Sequence, residues 1–162
     1  MQNCDSLIAE LKREAEATRR ILERVPLDKL SWKPHEKSMS LGQLALHIAG
    51  VPGGLAEFLD ERTREVPTVP LPEAVSVHEI LLTFDKFMDV AENKLLSWGN
   101  DGLMETWRLT HDGMLILEVP RMEMVRTLMF NHWYHHRGQL TVYLRLLDVA
   151  VPAIYGPSAD EN

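Results

Sequence analysis

The chain has 162 residues, enough for one domain with a proper hydrophobic core. Its hydrophobic (45%) and charged (25%) contents are those of a globular protein. A formal charge of −7, with no basic cluster to override it, argues against nucleic acid or an anionic membrane as partner.

The single cysteine, Cys4, excludes an intramolecular disulfide and suits a reducing compartment. The first residues lack a basic n-region and an apolar h-region, and no apolar run approaches the ~20 residues needed to cross a bilayer. A cytoplasmic protein is the expectation.

Leu7, Leu11, Ala15, Thr18, Leu22 and Val25 recur every three or four residues, which predicts an amphipathic helix over 5–24. Asp5 or Ser6 is expected to cap it, Pro26 to end it, and Cys4 to precede it as a terminal free thiol. Residues 27–39 read as a connection in which Trp32 packs onto the core and His35 is exposed. Ser40 and Gln43 form a capping box that opens a second helix. Leu41, Leu44, Ile48, Val51, Leu55, Phe58 and Leu59 mark its buried face, and His47 falls on that face or at its edge. Pro52 removes an amide donor and frees the Ile48 carbonyl, so a kink is expected one turn beyond His47.

Three prolines in 67–72 predict an extended linker. Ser76 and Glu79 form a second capping box, opening a third helix that runs to Trp98 and is stopped by Gly99–Gly102. His78, in its first turn, is read as exposed. Asp112-Gly113 between two apolar runs predicts a two-stranded hairpin with His111 exposed at its turn. A long helical pattern follows from about 121 to 147. Its stripe is Val125, Leu128, Met129, Leu140, Tyr143, Leu146 and Leu147, with His132 and His136 in the middle. Ile154 and Tyr155 of the Pro/Gly-interrupted tail are expected to pack back. The predicted class is all-α: one domain, 1–162, a four-helix bundle with a small β-hairpin between helices three and four.

The chemistry concentrates in the histidines. An i,i+4 pair on a buried helix face can grip one divalent ion from one side, and His47 is the candidate third ligand. Burying two imidazoles among leucines is costly unless something satisfies their nitrogens. His135 lies at the stripe edge and is read as an orienting or interfacial group. Gln139, on the stripe, is the better candidate for orienting a ligand, and Arg137, well off it, is as readily structural. Trp133 follows His132 where a metalloprotease helix would need Glu, so that motif is excluded. No Gly-rich phosphate loop or Gly-x-Ser-x-Gly is present.

Two stretches carry a family likeness. One runs from Trp32-Lys33-Pro34-His35 through Ser40-Leu41-Gly42-Gln43 to His47-Ile48-Ala49. The other is Asn131-His132-Trp133-Tyr134-His135-His136-Arg137-Gly138-Gln139-Leu140, continuing to Tyr143-Leu144-Arg145 and the tail. In these the chain resembles the DinB-like (DinB/YfiT-like) superfamily of bacterial metal-binding four-helix bundles. The resemblance implies an up-down-down-up bundle, frequent homodimers, and a divalent metal, zinc or nickel most often, held by His47, His132 and His136. Some relatives are thiol-dependent transferases or isomerases that use low-molecular-weight bacterial thiols, and others look like metal-dependent hydrolases, so this chain is expected to be a metal-dependent thiol S-transferase or hydrolase acting on small electrophilic substrates. The alternatives are a non-enzymatic metal-binding or stress-response dimerisation module, and a purely structural histidine network. Neither DNA nor membrane binding is implied.

Overall fold

The computed structural model describes residues 3–161. Helix α1 spans Cys4–Leu22, α2 Leu41–Asp60 and α3 Val77–Met104. The fourth rod is composite: α4, Arg121–Met124, passes through a π-helix, Val125–Asn131, into α5, His132–Leu146. Contacts fix the directions. Cys4 reaches Asn100 and Arg19 pairs with Asp85, so α1 and α3 are antiparallel. Gly53 abuts Phe87 and Asp60 pairs with Lys94, so α2 and α3 are parallel. Met39 and Leu59 carbonyls accept from Tyr143 and Arg121, which sets the last rod antiparallel to α2. The helices therefore run up, down, down and up.

The expectation of an all-α bundle carrying only a hairpin is corrected. Strands β2 (Thr106–His111) and β3 (Met114–Pro120) form the antiparallel ribbon, but β1 (Thr63–Glu65) joins it on the other side, parallel to β2. The result is a three-stranded mixed sheet in the order β1-β2-β3. Three polar residues after α2 show no apolar alternation, which is why β1 is invisible to pattern reading. Its register is set by partners distant in sequence: the Val66 amide donates to Thr110, the Arg108 amide to Arg62, and the Glu65 carboxylate accepts from the Thr110 hydroxyl (2.6 Å). Asp112 and Gly113 both adopt positive φ, as a tight hairpin turn requires.

Other boundaries shift for local reasons. Asn3 caps α1, with Ser6 returning the bond, so Cys4 is the first helical residue and is buried with its thiol donating to the Leu95 carbonyl (3.1 Å). Helix α3 resumes beyond Gly99 (φ 55) and ends at Met104. Pro52 leaves α2 unbroken. The fourth rod departs furthest. A π-turn takes more residues per turn than an α-helix, so a wheel drawn at about 100° per residue loses phase across it. The buried seam of α5 is Trp133, Arg137, Leu140 and Leu144, whereas Leu146 is 58% exposed. His132 and His136 flank that seam, half-buried and facing α2, rather than occupying its centre.

Buried cations clamp the last rod at two points, its start and the middle of α5. Arg121 donates to the carbonyls of Leu59 (2.9 Å), Asp60 (3.2 Å) and Gly102, joining the C-termini of α2 and α3. Arg137 is 3% exposed and pairs with buried Glu14 (2.7 Å), while Thr18 and Tyr155 complete its shell. Among the described residues no helix is long and apolar enough to cross a membrane.

Candidate metal centre

His47 is presented by the first half of α2, where the Ser40–Gln43 capping box fixes the helix start. His132 and His136 stand one turn apart on α5. The His136 and His132 Nε2 atoms are 2.7 Å apart, and His47 Nε2 lies 3.4 Å from His132 Nε2. The ligand atoms of all three rings fall within 4.8 Å of one another.

The outer nitrogens decide what the inner ones can do. Gln139 Oε1 accepts from His136 Nδ1 at 2.6 Å, which places that ring's proton on Nδ1 and leaves Nε2 as a lone pair. His132 Nδ1 is buried without a hydrogen bond of good geometry, although the Leu128 carbonyl favours a proton there. The His132 amide donates to Thr127, five residues back in the π-turn, rather than to Leu128. The His136 Nε2 lone pair thus faces His132 Nε2 at 2.7 Å, free to accept a proton from that ring in the metal-free chain or to share a cation with it.

The rings are also held neutral. Burial, reinforced by His136 and His132, brings His47 down to about 4 from an ordinary 6.5. Burial likewise lowers His132, with the Leu128 carbonyl opposing and His135 adding, and lowers His136, with Gln139 opposing and His132 and His135 adding. Neutral imidazole is the form that binds metal. Three neutral, convergent rings could hold a divalent ion and leave a side open.

That side faces a cavity of about 510 Å3 lined by His47 and His132 together with mainly apolar residues of α2, α3 and the proline strap 67–72. Gln43 Nε2 donates to the Leu71 carbonyl (2.9 Å), tying the strap to α2. Glu79 accepts from the Val75 amide (2.7 Å) and is the one carboxylate among the described lining residues.

A model of the DinB family matches residues 1–162. The chain belongs to the DinB family. A relative described as the uncharacterized protein YrdA of Bacillus subtilis (strain 168) is 27% identical over 161 residues, covering 99% of this chain and 92% of that one. The fold is shared with a DinB-like protein from Bacillus cereus ATCC 10987, at TM-score 0.75 and 24% identity over 95% of this chain and 99% of that one. It is shared also with the DinB-like protein YjoA of Bacillus subtilis, at TM-score 0.69 and 18% identity over 92% and 97%.

This DinB chain brings together the residues that helical spacing had singled out, His47, His132 and His136, and sets Gln139 against the third of them. His135 is exposed, its ring 5.0 Å from that of His136, and it is not one of the three converging rings. His35, His78 and His111 are all exposed and take no part in the cluster. Arg137 belongs to the Glu14 pair on the opposite side of the helix. Pattern reading missed three contributors. Glu79 looked like half of a capping box, but its carboxylate turns to Val75 and the cavity. Gln43 does complete its capping box through Oε1, and its Nε2 also bonds the strap. Trp133, noted in the sequence only as the residue standing where a protease helix would need Glu, is fully buried and bonds the Ile48 carbonyl of α2.

A second group, Glu65, His111 and Asp112, also gathers three ligating side chains, but all are exposed and Glu65 is already engaged by Thr110 and the Asp112 amide.

Proposed function

We propose that this protein holds a zinc or nickel ion on His47, His132 and His136 and acts as a metal-dependent thiol S-transferase or hydrolase on small electrophilic substrates. The observation that carries the reading is the placement of His47 and His132 in the wall of an apolar cavity, with their Nε2 atoms converging beside His136. A bound divalent ion would supply acidification of a thiol or water, giving a nucleophile near neutral pH.

The chain's own groups set the rest. Gln139 holds the His136 proton on Nδ1, so that Nε2 stays available. The apolar walls keep water from competing for the electrophile. Cys4, the only cysteine, is engaged with Leu95 near the far end of α3, so a thiol must arrive as a low-molecular-weight cosubstrate. In the transfer reaction its sulfur bonds to the substrate carbon, the leaving group departs with the bonding pair, and the thiol proton passes to solvent. Assembly as a homodimer belongs to the same proposal and is read by light scattering.

Metal analysis after reconstitution is the deciding experiment. Stoichiometric metal that is lost in His132→Ala and kept in His135→Ala is expected. Failure of the wild-type chain to take up zinc or nickel overturns the proposal. Consumption of a thiol by the loaded protein in the presence of an electrophile then separates an enzyme from a binder.

A further inference from the structure

The chemistry of the cavity narrows what it can accept. Among the described residues that line it there is no lysine or arginine, and the single charged group is the Glu79 carboxylate. In the metal-free chain an anion entering would lose its hydration, meet a like charge and find no cation in the lining, the guanidinium of Arg64 and the ammonium of Lys86 lying over the rings of Phe58 and Phe87 (5.1 and 5.4 Å) without lining the cavity themselves. The walls offer aromatic edges and faces instead, from Phe58 on α2 and Phe87 on α3, and the strap opposite contributes prolines.

The floor has room beside His47. Gly50 and Gly54 follow that histidine along α2 and line the same cavity. A Cβ added at Gly54 would meet nothing within 4 Å, and one at Gly50 would only graze Phe87 at 4.0 Å. Neither glycine adopts positive φ. Gly53, between them, differs: its Cβ would fall 2.4 Å from the Phe87 carbonyl oxygen, so close packing of α2 on α3 requires glycine there. Glycine is disfavoured inside a helix, and neither packing nor backbone conformation calls for it at 50 or 54. What these positions provide is depth in the cavity wall.

We infer that the cavity of the metal-free chain binds an uncharged, ring-bearing apolar small molecule in preference to an anion, with Gly50 and Gly54 as specificity-determining positions that admit the ring next to His47. The inference rests on the proposed reaction only in treating this ligand as the electrophilic substrate; the binding itself needs no metal.

The test uses the metal-free full chain and two probes that share a ring system, neutral 2-acetylnaphthalene and anionic 2-naphthoate, with dissociation constants read by ligand-detected NMR. The neutral probe is expected to bind about tenfold or more tightly than the anion. In Gly54→Leu the neutral probe should weaken by about tenfold or more as the side chain fills the floor, while the melting temperature holds or rises. Gly54→Ala, a smaller change, should raise the melting temperature and weaken the probe less. Equal binding of the two probes, no binding of the neutral one, or undiminished binding in a folded Gly54→Leu overturns the inference. Zinc titration of the same samples keeps the two readings apart. A chain that discriminates the probes but takes no metal retains this inference and loses the proposed reaction; a chain that takes metal but does not discriminate loses only this inference.

Discussion

The indole N–H of Trp133 donates to the carbonyl of Ile48 at 3.1 Å, and Ile48 is the residue whose helical partner Pro52 removes. An α-helical carbonyl at 48 would ordinarily accept from the amide at 52, which proline lacks. The orphaned acceptor is instead satisfied from the neighbouring helix, by the residue that follows His132, and it lies one residue beyond His47. One hydrogen bond thus fixes the two halves of the histidine cluster against each other.

Trp133→Phe should cost about 1–3 kcal/mol beyond its packing loss, because a buried carbonyl is left unpaired. Pro52→Ala restores the amide within α2, so in that background the hydrogen-bond part of the loss should vanish while the packing part remains. A double-mutant cycle on urea midpoints measures the difference. Strict additivity would mean that the bond has no energetic role.

Gln139 fixes the tautomer of His136 through its 2.6 Å bond to Nδ1. Outer hydrogen-bond partners of metal-binding histidines typically carry about 10–100-fold in affinity. Gln139→Leu should lower zinc affinity by that order without loss of fold, and Gln139→Glu, which keeps an acceptor, should restore most of it. Competition with a chromophoric chelator reads both. Zinc affinities equal to wild type in the leucine variant would remove the orienting role.

What could be read ahead of the structure followed from locality. The Ser40–Gln43 box, the Asp112-Gly113 turn and the 132/136 pair each depend on residues within one turn of each other, and each is present. His47 was legible because α2 is regular from its cap onward. The π-turn at 125–131 has no sequence marker, and it rotated everything downstream, burying Trp133 and exposing Leu146. Strand β1 and the Arg137 shell depend on partners about 45 and 120 residues away, where periodicity carries no information.

Arg137 and Glu14 are buried together, with the Tyr155 hydroxyl on both and the Tyr134 ring 5.1 Å from the guanidinium. Removing one partner strands a charge, so Arg137→Met alone should destabilise by about 3–5 kcal/mol. The double variant Arg137→Met with Glu14→Leu should recover much of that loss, because neither charge is then buried. Thermal melts of the two proteins make the comparison. A double variant no better than the single one would show that the shell stabilises through shape rather than charge pairing.

The histidine cluster also sets a pH dependence of the metal-free fold. His47 titrates at about 4 when folded and near 6.5 when unfolded, and His132 and His136 are lowered in the same direction. Between those limits the unfolded chain binds more protons than the folded one, so stability rises with pH across the interval. The His47 contribution is complete above about 6.5 and is lost as pH falls toward about 4, and those of His132 and His136 are lost in the same direction. Asp60, whose carboxyl is held below the usual carboxylate range chiefly by Lys94, loses its contribution only at lower pH. Urea midpoints of the metal-free protein should therefore decline already between pH 7 and pH 5, where carboxylates remain ionised. His47→Asn should flatten that decline, and saturating zinc should raise the midpoint throughout the interval. A midpoint unchanged from pH 7 to pH 5 in the wild-type chain would mean that the three rings are not held neutral by burial.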